Sequence, residues 1–110
     1  MLFNLLMKPT SHTGAMGELY VAQHFLSLGY EVFTNVSHTG PADMTVWMPG
    51  EEPKLVDVKT QSNPYVRKDG TYCYGFQCEQ RADGVYQVIY NVPAGLVLIP
   101  DGFTRTREQD

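Results

Sequence analysis

Residues 14–28 (GAMGELYVAQHFLSL) carry the hydrophobic period of a helix, and Gly29 supplies its stop. Beyond that glycine the chain is cut by Gly, Pro and polar clusters into pieces of strand length. EVFTNV at 31–36, DMTVWM at 43–48 and KLVDVKT at 54–60 read as the first three strands, with 71–78, 86–92 and 96–99 completing the set. PGEEP at 49–53 is a hairpin turn, and QSNPYVRKDG at 61–70 is a loop with Gly70 in its closing turn. Ser11 and Thr13 are the N-cap candidates of the helix. One helix followed by short strands predicts an α+β layer, the helix lying on one face of a mostly antiparallel sheet. Residues 1–12 form an arm of undefined shape, and the polar tail from residue 101 is expected to fray.

Length and charge narrow the function classes. With 110 residues the chain is expected to form one domain over 1–110, and a 43% hydrophobic, 18% charged composition excludes disorder as the main state. Twelve acids against eight bases give a net charge of −4. That balance argues against nucleic-acid binding by bulk attraction, so a phosphate partner has to be held by a local constellation or by bound cations. Cys73 and Cys78 are too few for a disulfide scaffold or a four-cysteine zinc site, which points to a reducing, cytoplasmic compartment. The apolar opening MLFNLLM is too short for a signal sequence or a membrane span, so a soluble chain without a membrane partner is expected.

Glu18 is the first residue that asks for chemistry. Ala15, Leu19, Val21, Ala22, Phe25, Leu26 and Leu28 form one wide apolar arc on the helix, and Glu18 projects from its middle. A carboxylate facing a core is costly without a partner. Standing alone, such a glutamate more often pairs with a buried arginine or caps a loop; a second acidic cluster shifts that balance. The hairpin offers one. Asp57 and Lys59 share one strand face, with Val56 and Val58 on the other. If the turn pairs Met48 with Lys54, Asp43 lies opposite Lys59 and diagonal to Asp57, within side-chain reach. The competing reading is a simple Asp43–Lys59 ion pair on a solvated face, and a slip of one residue would turn Asp43 away altogether.

Glu18, Asp43, Asp57 and Lys59 together fit phosphodiester hydrolysis. That reaction uses a hard cation to neutralise the phosphate and activate a water. Mg²⁺ takes oxygen ligands and keeps several waters, so two or three carboxylates suffice. A neighbouring lysine orients the water or stabilises transition-state charge.

An acid on the first helix, then Pro41-Ala42-Asp43, then Asp57-Val58-Lys59 resembles the PD-(D/E)XK nuclease superfamily. GAMGELYVAQHFLSLGYEVF is similar to the opening of its group I intron endonuclease and archaeal Holliday-junction resolvase branches. LVDVKT resembles their metal-binding strand, and YQVIYNVPAGLVLIP the closing strands of the intron-endonuclease-like group, so the resemblance spans residues 14–100. It implies a restriction-endonuclease-like core around a mixed sheet in place of a mostly antiparallel one. By position it implies metal ligation by Asp43, Asp57 and the Val58 carbonyl, with Glu18 ligating directly or through water and Lys59 as the catalytic lysine. Two departures stand out: Ala42 separates Pro41 from Asp43, and Asp57 stands where glutamate is commoner.

The expected activity is therefore a Mg²⁺-dependent DNA endonuclease, with Mn²⁺ able to substitute, from a phage, mobile-element or restriction setting. Cutting two strands with one cluster per chain calls for a homodimer, and the MLFNLLM arm is a candidate interface. Lesser DNA-contact candidates are His38, Thr60, Arg67, Lys68 and Gln77, each with an ordinary alternative: a solvated loop histidine, the end of a strand, loop charges or a surface glutamine. Ser62 ranks with Thr60, and Tyr65, Tyr72 and Tyr74 lie near the basic pair as stacking candidates. His12 and His24 have no metal-ligand spacing to a cysteine, so no zinc is assigned. The rival readings are a non-catalytic DNA-binding or interaction module on the nuclease fold, and a metal-free protein in which Glu18 is structural.

Overall fold

Gly29 adopts a positive φ of 94°, a conformation that L side chains rarely take, and this ends helix α1 (Thr10–Ser27) and turns the chain into the sheet. The computed structural model describes residues 10–37 and 39–103. After α1 come β1 (Glu31–Thr34), β2 (Met44–Trp47), β3 (Lys54–Gln61), β4 (Tyr65–Val66), β5 (Tyr72–Cys73), β6 (Tyr86–Asn91) and β7 (Leu96–Leu98). Ser11 and Thr13 fall inside the helix rather than at its cap.

The main sheet has the order β1-β2-β3-β6-β7. Among the described residues the fold is thus α+β, with one helix on a mixed five-stranded sheet. Three of its pairings are antiparallel, but β3 and β6 run parallel from Val56↔Tyr86 to Gln61↔Asn91. The sheet is therefore mostly antiparallel, as the short strands predict, but its central parallel pair makes it mixed. A parallel pair needs a long crossover, and residues 62–85 provide it without a helix. Only Tyr72 and Cys73 of the strand expected at 71–78 are extended in a ladder, and they pair with Tyr65 and Val66 in a separate hairpin. Residues beyond Cys73 instead cross one face of the main sheet. The Gln87 side-chain amide donates to the Gln77 carbonyl at 2.8 Å, and the Cys78 thiol to the Leu98 carbonyl at 3.3 Å.

The core lies between α1 and the opposite face. Val21 and Phe25 meet Met44, Val46, Val56, Val88 and Tyr90, with Val58 packed against them. Because side chains alternate along a strand, this fixes Val56 and Val58 toward the helix and turns Asp57 and Lys59 to the other face, as the strand pattern predicts. The helix contact is narrower than the arc of apolar residues, since Leu19 and Leu26 remain exposed. At its start the helix comes close to β3: a β-carbon on Gly17 would overlap the Thr60 hydroxyl. The core also extends into the expected tail. Phe103 is 1% exposed and sits 4.8 Å from Tyr86 and 5.2 Å from Phe25, ring centre to ring centre. Among the described residues, no helix is long and apolar enough to cross a membrane.

Candidate phosphodiester site at the end of β2

The β2–β3 ladder stops at Met44↔Val56, while β3 continues to Gln61 with β6 alone beside it. Asp43 stands where the two strands part. Its N–H donates to the Val56 carbonyl at 2.8 Å and its carbonyl accepts from Asn35 N–H at 3.0 Å. The Asn35 side-chain amide donates to the Ala42 carbonyl at 2.8 Å, which fixes the turn just before it. The Asp43 carboxylate then accepts the Val58 N–H at 2.6 Å. In a strand the N–H and C=O of one residue point to the same side, so the Val58 carbonyl also faces the gap that β2 leaves.

The register differs from the expectation by two residues. Lys54 pairs with Val46 rather than Met48, because the turn takes in Met48, whose carbonyl accepts from Glu51 N–H at 2.9 Å. An even shift preserves the faces, but it places Asp43 beside Asp57 instead of opposite Lys59. The expected Asp43–Lys59 pair is therefore replaced by a Lys59–Asp57 ion pair of 3.3 Å along the same strand. Lys59 also lies over the Phe76 ring, 5.7 Å from its centre.

Burial, foremost, then the neighbouring Asp57 carboxyl and the charge of Glu18, raise the Asp43 pKa to about 6, against the lowering pull of the Val58 N–H. Glu18 comes from the helix and lines a small cleft with Asn35, Ser37, Ala42 and Asp43. Asp43 is thus the meeting point, reached by Glu18 from the helix side and by Asp57 from the far face of the sheet. Among the described residues, no three carboxylate, histidine or cysteine side chains are grouped so as to hold a metal ion by themselves. Asp43 and Asp57 form the close pair.

Arg81 is the site residue that the sequence reading missed. Its Nη1 donates to Asp57 Oδ2 at 3.0 Å and its Nη2 to the Pro41 carbonyl at 3.0 Å. Nε and Nη2 fork onto the Asp83 carboxylate at 3.3 and 3.2 Å. A tight turn sets this geometry: Gly84 N–H donates to the Arg81 carbonyl at 2.9 Å, with Gly84 at φ 89°. Arg-Ala-Asp-Gly directly before an aromatic and β-branched run was the available signal.

The lesser candidates are scattered. Thr60 is packed against Gly17 at the helix. Arg67 and Lys68 are exposed in the turn of the β4–β5 hairpin, where Arg67 N–H donates to the Thr71 carbonyl at 2.8 Å. Tyr72 and Tyr74 stack at 6.2 Å, and the Tyr74 hydroxyl accepts from the buried Asn91 amide at 3.0 Å. Ser62 is exposed, and Gln77 is exposed in the crossover rather than on a strand. His38 lies outside the described residues, as does the MLFNLLM arm. A cleft of about 580 Å³ lies at the opposite end of β3, between Glu51, Lys54, Asp83 and Phe103.

Comparison with protein-family models, curated proteins and solved structures gives no match for this chain.

Proposed function

We propose that this chain is a divalent-cation-dependent endonuclease that hydrolyses phosphodiester bonds in DNA, on a core of the restriction-endonuclease type. The observation that carries the reading is the Asp43–Asp57 carboxyl pair at the parting of β2 and β3, with Lys59 ion-paired to Asp57 and the Val58 backbone facing the same gap. The donor chemistry suits a hard cation. Two carboxylates and a backbone carbonyl are all oxygen donors, and Mg²⁺ is usually held by one or two carboxylates plus substrate phosphate rather than by a full protein cage.

In this reading Asp43, Asp57 and the Val58 carbonyl would hold the cation, with Glu18 as a further ligand, directly or through water. Mg²⁺ or Mn²⁺ bound there supplies phosphate neutralisation and a more acidic water. The chain's own residues do the rest. Burial raises the Asp43 pKa to about 6, so Asp43 becomes an ionised oxygen donor as pH rises past that value. Lys59 is half-exposed and tethered to Asp57, which leaves its ammonium able to orient a water or face a non-bridging phosphate oxygen. Two-strand cleavage requires a second copy of the chain, so a homodimer on DNA goes with this reading.

A second reading has one observation in its favour. Lys59 and Arg81 already neutralise Asp57, as they would in a non-catalytic DNA-binding module that has kept the fold. Incubation with Mg²⁺ and a panel of linear, nicked and four-way DNA separates the two. Cleavage that disappears in Lys59→Ala and Asp57→Asn supports the nuclease; binding without metal-dependent cleavage supports the module.

A further inference from the structure

Arg81 bonds the Asp57 carboxylate on which the proposed cation site depends. It is fixed by three acceptors on three parts of the chain: Asp57 on β3, the Pro41 carbonyl in the turn before Asp43, and Asp83 in its own turn. A guanidinium carries five N–H groups. The four bonds to Asp57, Pro41 and Asp83 use one N–H each. The second N–H of Nη1, on the nitrogen already bound to Asp57, is not used by any of them. Arg81 can therefore keep its Asp83 fork while Nη1 changes partner.

The charges favour such an exchange. Asp57 Oδ2 accepts from Arg81 and is ion-paired with Lys59, so without ligand two cations already face Asp57. A divalent ion added to that arrangement competes with Lys59 and Arg81 for the Asp57 carboxylate, and an anion arriving with it gives the displaced cation a new partner. A phosphodiester supplies one negative charge and oxygens that a guanidinium binds well.

We propose that Arg81 is an internal counter-cation of the site, holding Asp57 in the ligand-free chain and passing to a phosphate oxygen of the bound DNA, so that divalent cation and phosphate bind together. This rests on the cation site argued above. It makes Arg81 a phosphate-recognition residue and sets a low affinity for the metal alone.

The test is Mn²⁺ affinity by electron spin resonance, without DNA, in wild type, Arg81→Gln, Arg81→Lys, Asp83→Asn and Asp57→Asn. Arg81→Gln is expected to bind Mn²⁺ about tenfold more tightly, with Arg81→Lys between it and wild type because lysine keeps the charge but not the fork. Asp83→Asn removes the anion that competes for Arg81, so Mn²⁺ should bind several-fold more weakly. A merely structural Arg81 would make the Arg81→Gln and Asp83→Asn variants shift in the same direction, since both loosen one turn; that result overturns the proposal, as does Arg81→Lys behaving like Arg81→Gln. In a second arm, anisotropy of a labelled four-way junction with Ca²⁺ should show binding at least fivefold weaker in Arg81→Gln, and equal affinities overturn the phosphate contact. If Mn²⁺ binding is saturable and lost in Asp57→Asn but unchanged in Arg81→Gln, the role of Arg81 alone fails. If wild type shows no Asp57-dependent binding, the cation site fails and this proposal with it.

Discussion

The Asp43 carboxylate accepts the Val58 N–H at 2.6 Å, so a side chain takes over the edge of β3 just where β2 leaves it. The same carboxyl has its pKa raised to about 6, chiefly by burial. A carboxyl raised in the folded state adds stability below its unfolded pKa, and that contribution is lost as pH rises through the folded value. The metal-free protein should therefore melt lower at pH 7 than at pH 4.5 as far as this group is concerned. After discounting for a half-exposed site the loss is on the order of 1 kcal/mol, about 5 °C. Thermal melts of wild type and Asp43→Asn across that range check it: the difference between the two should change through pH 6, and a constant difference refutes the assignment.

Cleavage should show the opposite dependence. In the proposed nuclease ionised Asp43 is the form that would bind a cation, so kcat/KM at limiting metal should climb as pH passes about 6 and level off above it. In Asp43→Asn the residual rate should lack this inflection. A profile with the same inflection in both proteins assigns it to another group.

Lys59 is a side chain whose loss should separate chemistry from folding. It is 35% exposed and bonded to an aspartate that Arg81 also serves. Lys59→Ala is expected to lower cleavage by a hundredfold or more while moving the melting temperature by only about 2–4 °C. Matched rates for mutant and wild type would place the activity elsewhere.

Gly17 fixes how closely the Glu18 helix approaches β3. A β-carbon there would overlap the Thr60 hydroxyl, and threonine has little rotamer freedom to move aside. Gly17→Ala should cost about 1–3 kcal/mol in denaturant unfolding. Adding Thr60→Ala should recover part of that loss. Independent, additive effects of the two changes would show that the approach is looser than described.

Phe103 should be indispensable despite its polar surroundings. It packs on Phe25, Tyr30 and Tyr86. Phe103→Ala is expected to cost about 3–5 kcal/mol, a large share of the stability of a domain this size. Chemical denaturation is the direct measurement, and a loss under about 1 kcal/mol would remove Phe103 from the core.

These residues also show what sequence patterns carry. The helix, its Gly29 stop and the alternation that puts Val56 and Val58 opposite Asp57 and Lys59 follow from local periodicity, and they reappear in the fold. The hairpin register does not, because it depends on how many residues the turn absorbs, and Met48 joined the turn. The aromatic run at 71–78 has strand composition, but β6 takes the place beside β3, so most of the run lies across the sheet face. Arg81 and Phe103 sit alone in polar stretches. Each gains its role from partners distant in sequence, Asp57 and Pro41 for one and Phe25 for the other.

Since β3 and β6 run the same way, the chain must travel back along the sheet between them, and it does so on residues 62–85 without a helix. That return path is a strap: it carries Phe76 to Lys59 and Arg81 to Asp57, yet contributes no strand to the main sheet. The surroundings of Asp57 on that face are therefore set by a loop rather than by the sheet, so a change of residue in the strap reaches the acid without passing through the core.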